Sequence, residues 1–330
     1  MSLFYFIAAL VGGFALITWG ADRFVVGAAA TARNFGVSPL LIGLTIVGLG
    51  TSAPEILIAV EASLKTKTDM ALGNAVGSNI TNILLVLGVT ALVVPITVRS
   101  AILKREFPIL LLVMTLFCIL VFDGYMGRID GIILICGLVV MVAWMIYMGF
   151  TENGKDPIAT EYDDEIPKDM PNKIALFWLF AGMVILILSS KLLVWGATGL
   201  ALEMGVSELI IGLTIVALGT SMPELAASVM SALRNEPDIA IGNIIGSNMF
   251  NILAVSSMPG LIHPSSFNEI LLHRDVSIMV AVTLILFVMS YGFKGPGRIT
   301  RFYGMVLLVG FVSYQVLLYF TRIPPTAIVT

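Results

Sequence analysis

Residues 36–88 of the chain align without a gap on residues 205–257, at a constant offset of 169, with about 29 of the 53 paired positions identical. GLGTSAPE at 48–55 matches ALGTSMPE at 217–224, and GNAVGSNITN at 73–82 matches GNIIGSNMFN at 242–251. The chain must therefore fold as two copies of one unit, and the solvent of that unit decides what it is. Apolar stretches of roughly 20 residues recur down the whole length, each long enough to cross a hydrocarbon core of about 30 Å. Hydrophobic residues make up 58% of the chain and charged residues 12%, against about a quarter charged in a soluble domain. In lipid the backbone must satisfy itself, so the fold class is an all-α polytopic membrane protein.

Apolar runs between charged or Pro/Gly-marked breaks predict ten transmembrane helices, near 3–32, 37–64, 70–95, 101–122, 129–150, 173–203, 206–233, 238–262, 275–293 and 302–320. The hydrophilic segment TENGKDPIATEYDDEIPKDMPN at 151–172 divides them five and five. The expected domains are a first five-helix repeat at 1–150, an acidic linker at 151–172 and a second five-helix repeat at 173–330. Asp163, Asp164 and Glu165 in the linker lack metal-loop spacing and read as a solvated face. Five spans, an odd number, separate each residue from its repeat mate, so the second copy enters the membrane from the opposite side. Inverted repeats place a binding site where the copies meet near the midplane and support alternating access. The first stretch, MSLFYF onward, has no basic leader region and is expected to remain as a helix. Cys118 and Cys136 lie in apolar segments and read as packing residues.

Basic loop residues set the orientation. Lys65, Lys67, Arg128, Arg274 and Arg322 fall on the face of the N-terminus. Arg33, Arg99, Lys104, Arg105, Lys155, Lys168, Lys173, Arg234, Lys294, Arg298 and Arg301 fall on the other. The positive-inside rule then puts both termini outside and the linker in the cytoplasm.

Glu55 and Glu224 hold equivalent mid-span positions, where an ionisable group costs about 2.5–3.5 kcal/mol on insertion scales. Neither repeat has a Lys or Arg inside its span to pair with them, so the expected partner is a bound cation. Thr51 and Glu55, like Thr220 and Glu224, are i, i+4 neighbours on one helical face. Pro54 and Pro223 cannot donate a backbone hydrogen bond, which is expected to leave the carbonyls of Gly50 and Gly219 unpaired and to free those of Thr51 and Thr220. Two bidentate glutamates and two threonine carbonyls supply six oxygens, and Ca2+ takes about six to eight. One carboxylate at a time could instead hold Na+, so the ions would compete. Ser78 with Asn82, and Ser247 with Asn251, add neutral oxygens suited to Na+. Gly73 with Gly77, and Gly242 with Gly246, allow close helix approach. Asp22, Arg23 and Lys191 lie outside the repeat cores and are expected to pair locally or to snorkel. His263 and His273, in or near one connection, carry no assigned role.

GTSAPE with GTSMPE, and GNAVGSN with GNIIGSN, resemble the two α-repeats of the cation/calcium exchanger superfamily, in its prokaryotic sodium/calcium exchanger branch, and the likeness in span order covers nearly the whole chain. The resemblance implies a secondary transporter, not an enzyme, that moves Ca2+ against Na+ across a prokaryotic plasma (inner) membrane, with the lipid bilayer and these two cations as its partners, no nucleic acid and no cofactor. It implies a calcium site at Glu55, Glu224, Thr51 and Thr220. Sodium sites would add Ser78, Ser247 and the backbone oxygens of Gly48 and Ala217, with Asn82 and Asn251 at the centre. The first and sixth helices would form a sliding gate. Some archaeal and potassium-dependent members carry Asp where this chain has Asn251, which bears on stoichiometry. The alternatives are a proton-coupled calcium or other divalent cation antiporter on the same fold, a cation channel, and a membrane-embedded enzyme, the last disfavoured by the lack of a His-containing metal motif or a nucleophile with a base.

Overall fold

The apolar stretches pair their backbones internally, and in the computed structural model the described residues of each are largely helical. It describes residues 2–37, 39–98, 100–151, 170–203, 217–291 and 297–321. Helix α1 (Ser2–Phe35) leads to a broken span: α2 (Pro39–Ile42), a π-helical stretch at Gly43–Val47 and α3 (Gly48–Thr51), then α4 (Ala53–Leu64) at 48° to Gly43–Thr51. Helix α5 (Thr68–Thr81) passes through a π-helical stretch at Asn82–Leu87 into α6 (Gly88–Val93), and α7 (Ser100–Leu120) and α8 (Arg128–Thr151) follow. The second half holds α9 (Asn172–Glu203), α10 (Ala217–Thr220), α11 (Met222–Leu233) and α12 (Pro237–Phe250). A π-helical stretch at Asn251–Val255, α13 (Ser257–Ile262), α14 (Ser277–Ser290) and α15 (Arg301–Phe320) complete it. Helix thus falls in every one of the expected spans. The linker at 152–169 and the first part of the seventh span, 204–216, lie outside the described residues. Large apolar side chains such as Val11, Phe14, Leu112, Ile119 and Val309 stay on the outside, as a lipid-facing surface requires.

Two boundaries move. The first helix runs on to Phe35, and the ninth begins at Leu271 with a π-helical stretch to Val276, so His273 and Arg274 lie in helix and not in a connection. The charges there are satisfied on site. Both Asp275 oxygens accept from Arg274 at 2.9 Å, and Tyr314 Oη donates to Oδ1 at 3.0 Å. Asp22 pairs locally, as expected, with Arg23 at 3.9 Å, and it also reaches a distant partner. It accepts from Arg234 Nε at 2.7 Å across 212 residues, at the C-terminal end of α11, while Arg23 lies 5.4 Å over the Trp178 ring.

Helices α1 and α9 pack antiparallel along their length: Gly13 faces Leu193, Gly20 faces Ile185 and Gly27 faces Leu179. The approach is close enough that a Cβ on Gly182 would stand 2.7 Å from Phe24 Cα. Helix α12 is buried on all sides. Two short ribbons tie the halves together: β1 (Ile96–Val98) pairs antiparallel with β4 (Gly297–Ile299), and β2 (Tyr125–Met126) with β3 (Ser265–Ser266). Each ribbon joins a connection from one half to a connection from the other.

The turns after α4 and α11 are repeat mates with one geometry. Lys67 N donates to Ala62 O at 2.9 Å and Glu236 N to Ser231 O at 2.8 Å, leaving Thr66 at φ 58 and Asn235 at φ 57. Asn tolerates this left-handed region and a β-branched residue does not. Thr66→Asn is therefore expected to stabilise the protein by about 0.5–1 kcal/mol, read as a raised midpoint of thermal unfolding in detergent. An unchanged or lowered midpoint would show that Thr66 is held there by something else.

Candidate functional site

The site is built where each repeat's broken span restarts. Ser52 (φ −81, ψ 3) and Ser221 (φ −87, ψ 5) leave the helical region at the same repeat position. One residue later α4 and α11 begin, with Pro54 and Pro223 in the first turn, where a missing N–H costs nothing. Glu55 and Glu224 consequently fall in that first turn, facing the positive end of the helix dipole. Both are buried, at 0% and 1% exposure. The nearby cations are engaged elsewhere: Lys65 pairs with Glu61 at 2.5 Å and Arg234 with Asp22. Among the described residues neither Glu55 oxygen has a hydrogen-bond partner of ordinary geometry, nor has Glu224 Oε2. Ser52 Oγ donates to Glu224 Oε1 at 3.4 Å. The Thr220 side chain approaches the Glu55 carboxyl, and Thr51 that of Glu224, so each glutamate meets the threonine of the opposite repeat.

The carbonyls released by the prolines are not left open. Gly50 O accepts a backbone N–H of the cap, and Gly219 O accepts from the Ser190 hydroxyl of α9. A freed carbonyl in a buried place is costly, and a neighbouring donor takes it.

Around Thr51 the two repeats interlock. Its hydroxyl lies 3.0 Å from Asn243 Oδ1, 3.1 Å from Val47 O and 3.3 Å from Ser247 Oγ. Ser247 Oγ in turn donates to Gly48 O at 3.3 Å. Thr51, Gly48, Ser247 and Glu224 thus meet in one place. Asn82 and Asn251 each open a π-helical stretch, a distortion frequent at functional sites. Asn82 Nδ2 donates to Asn248 Oδ1 at 3.2 Å, whereas Asn82 Oδ1 and both amide atoms of Asn251 are buried without a partner among the described residues. Ser78 is buried at 6% exposure. Ala217 begins α10, and its side chain lies outside the described residues.

The two glycine pairs, alike in sequence, stand in different surroundings. A Cβ on Gly43 would be 2.8 Å from Ile239 O and 3.1 Å from Gly242 Cα, one on Gly48 would be 3.0 Å from Ser247 N, and one on Gly246 would strike Leu44 O. Beside Gly73 and Gly77 nothing lies within 4 Å among the described residues. Among the described residues α12 packs tightly against α2–α3, with Gly242, Asn243 and Gly246 buried, while Gly73, Asn74 and Gly77 of α5 stay partly exposed; the two half-paths are called closed and open in that sense.

Residues that the sequence reading passed over are Ser52, Asn74 and Asn243. Asn74 Nδ2 donates to Glu55 O at 3.0 Å, and Asn243 Nδ2 to Glu224 O at 3.2 Å. Their signal was the G-N-x-x-G-S-N motif itself, in which the first Asn recurs at the same place in both copies.

The family described as sodium/calcium exchanger protein is matched by residues 5–147 and again by residues 174–320. A protein named putative antiporter CaxA, from Alkalimonas amylolytica, is 48% identical over 307 residues, which span 93% of this chain and 96% of that one. The inner membrane protein YrbG of Escherichia coli is 40% identical over 318 residues, spanning 94% and 96%. Among solved structures, the sodium-calcium exchanger NCX_Mj, soaked with 10 mM Na+ and zero Ca2+, superposes with a TM-score of 0.81 at 28% identity, covering 97% of this chain and 100% of that one.

Proposed function

Because the chain belongs to the sodium/calcium exchanger family, whose members are cation/calcium antiporters, we propose that it moves Ca2+ against Na+ by alternating access at the paired glutamates. The observation that carries this is the burial of Glu55 and Glu224 at equivalent places with three of their four oxygens unpartnered among the described residues and no cationic side chain beside them. Two carboxylates balance one Ca2+, and a hard cation with oxygen ligands is the partner such a pair suits. In this reading Glu55, Glu224, Thr51 and Thr220 hold Ca2+. Na+ is held by the same carboxylates one at a time, with Ser78, Ser247 and the carbonyl oxygens of Gly48 and Ala217. Asn82 and Asn251 are at the centre, and the unpartnered amide atoms of Asn251 support that place.

The ten-helix inverted arrangement is part of the same proposal. An in-plane two-fold axis exchanges equivalent connections, and the exchange of partners between the two ribbons, β1 with β4 and β2 with β3, is what such an axis needs. The closed and open half-paths support a protein resting in one of two mirrored states, with α1 and α9 as the moving pair. The positive-inside count supports both termini outside and the 151–172 linker in the cytoplasm of a prokaryotic inner membrane. A reporter fused at Pro157 is then expected to behave as cytoplasmic and one fused after Thr330 as external, and the reverse pattern would overturn the orientation.

The functional test is calcium uptake into vesicles loaded with Na+, compared with vesicles carrying only a pH gradient. Uptake driven by the Na+ gradient is the expected result. Uptake driven by the pH gradient alone would replace this reading with proton-coupled antiport, for which buried glutamates also suffice.

A further inference from the structure

The two copies of the motif residue Asn74/Asn243 make one bond in common and differ in a second. In both repeats the amide nitrogen holds the backbone carbonyl of that repeat's glutamate, 19 residues back, at 3.0 and 3.2 Å. Only Asn243 does more. Its amide oxygen lies 3.0 Å from the Thr51 hydroxyl of the other repeat, and its nitrogen also donates to Ser228 Oγ at 2.8 Å. Asn243 is fully buried, at 0% exposure, whereas Asn74 is half-buried and its one hydrogen bond among the described residues is that to Glu55 O. The difference follows the packing: Asn243 lies between Gly242 and Gly246 on the closed half-path, and Asn74 between Gly73 and Gly77 on the open one.

We propose that Asn74 and Asn243 are paired positioning residues, each amide nitrogen anchoring its own glutamate's carbonyl throughout and each amide oxygen taking the threonine hydroxyl of the opposite repeat only when its side is closed. The proposal rests on the alternating-access reading above and adds the residues that carry the change. The single proton of Thr51 has two acceptors at nearly equal distance, Asn243 Oδ1 at 3.0 Å and Val47 O at 3.1 Å. The second is the back-bond that a helical threonine makes on its own. When the Asn243 side opens, Thr51 falls back on Val47 O and no buried donor is orphaned. By the repeat, Asn74 Oδ1 and Thr220 make the matching bond when the other side closes. The copies are not equal, because Ser228 props Asn243 while its repeat mate is Ala59, which has no hydroxyl. That prop favours the state in which the α12 side is closed.

Hydrogen exchange of the intact protein in lipid nanodiscs tests this without any transported ion. Two segments are followed, 68–81 and 237–250. Asn243→Ala weakens the state closed at α12, so segment 237–250 is expected to exchange up to about fivefold faster, the factor that one net hydrogen bond supplies, and segment 68–81, in the other repeat, more slowly. Asn74→Ala is expected to do the opposite, protecting 237–250 and loosening 68–81. Protection gained in the other repeat is the signature. Loosening of only the segment that bears the substitution would reduce both asparagines to local structural roles and overturn the proposal. Should Asn243→Ala not yield folded protein, Asn243→Ser is read in its place, and Asn74→Ala alone still decides the sign. Because no flux is measured, a failure of sodium-driven uptake and a failure of this exchange pattern are separate results.

Discussion

Glu55→Gln and Glu224→Gln are each expected to abolish sodium-dependent calcium uptake while leaving folded protein in the membrane. Each change keeps the size of the side chain, removes one of the two charges that balance Ca2+, and turns an anionic ligand into a neutral amide whose nitrogen repels a cation. Losing one charge-assisted contact is worth about 1.5–3 kcal/mol, so uptake is expected to fall at least tenfold and more where the ion needs both carboxylates. Stability should move the other way or not at all. A buried carboxylate without a cationic partner is a cost to the fold, and neither Glu55 oxygen has a hydrogen bond of ordinary geometry among the described residues. The paired measurement is vesicle uptake together with thermal unfolding in detergent. Full uptake in either variant would remove these glutamates from the transport site. Uptake lost together with a collapse of the folded protein would recast the glutamate as a structural group.

The second large effect is a contrast within one repeat pair. Gly246→Ala sets a methyl group against the Leu44 carbonyl and Cα, backbone atoms that can yield only if α12 moves away from the π-helical stretch at Gly43–Val47. Overpacking of this kind costs about 1–3 kcal/mol, and it would also spread Gly48 O from Ser247 Oγ inside the site. Gly77→Ala meets nothing within 4 Å among the described residues, and Ala is favoured over Gly in a helix by about 1 kcal/mol. The first substitution is therefore expected to lower the unfolding midpoint and the second to hold or raise it. Transport should fall in both, for different reasons: Gly246→Ala disrupts the state described here, and Gly77→Ala obstructs its mirror image, in which Gly77 takes the crowded place. Gly77→Ala with wild-type uptake would contradict the mirrored state, and equal midpoints would contradict the asymmetry of the two half-paths.

Much of the site could be read before any coordinates because its signals are local. Pro54 and Pro223 lack an N–H wherever they stand, so a helix must restart near them, and Glu55 and Glu224 one residue further on inherit the first turn. The spacing of Thr51 from Glu55 sets a shared face in the same way. Asp22 was read less well. Its partner Arg234 is 212 residues distant, and no periodicity connects the two. The carbonyls of Gly50 and Gly219 illustrate the same limit: the prolines determine that they lose their helical partner, while Ser190, on a different helix, decides who replaces it at Gly219.

The deepest division concerns the repeats themselves. The sequence alone determined that there are two copies of one motif and that both carry the same glutamate, threonine, serine and asparagine. It could not determine that, among the described residues, Gly246 is crowded and Gly77 is not, or that Asn243 reaches Thr51 while Asn74 bonds only within its own repeat, because the residues concerned are identical in the two copies. Two nearly equal halves have two nearly equal ways to pack, and the local chemistry of these shared residues is the same in both. Only tertiary packing, which brings α12 tightly against α2–α3 and leaves the glycines of α5 partly exposed, distinguishes them.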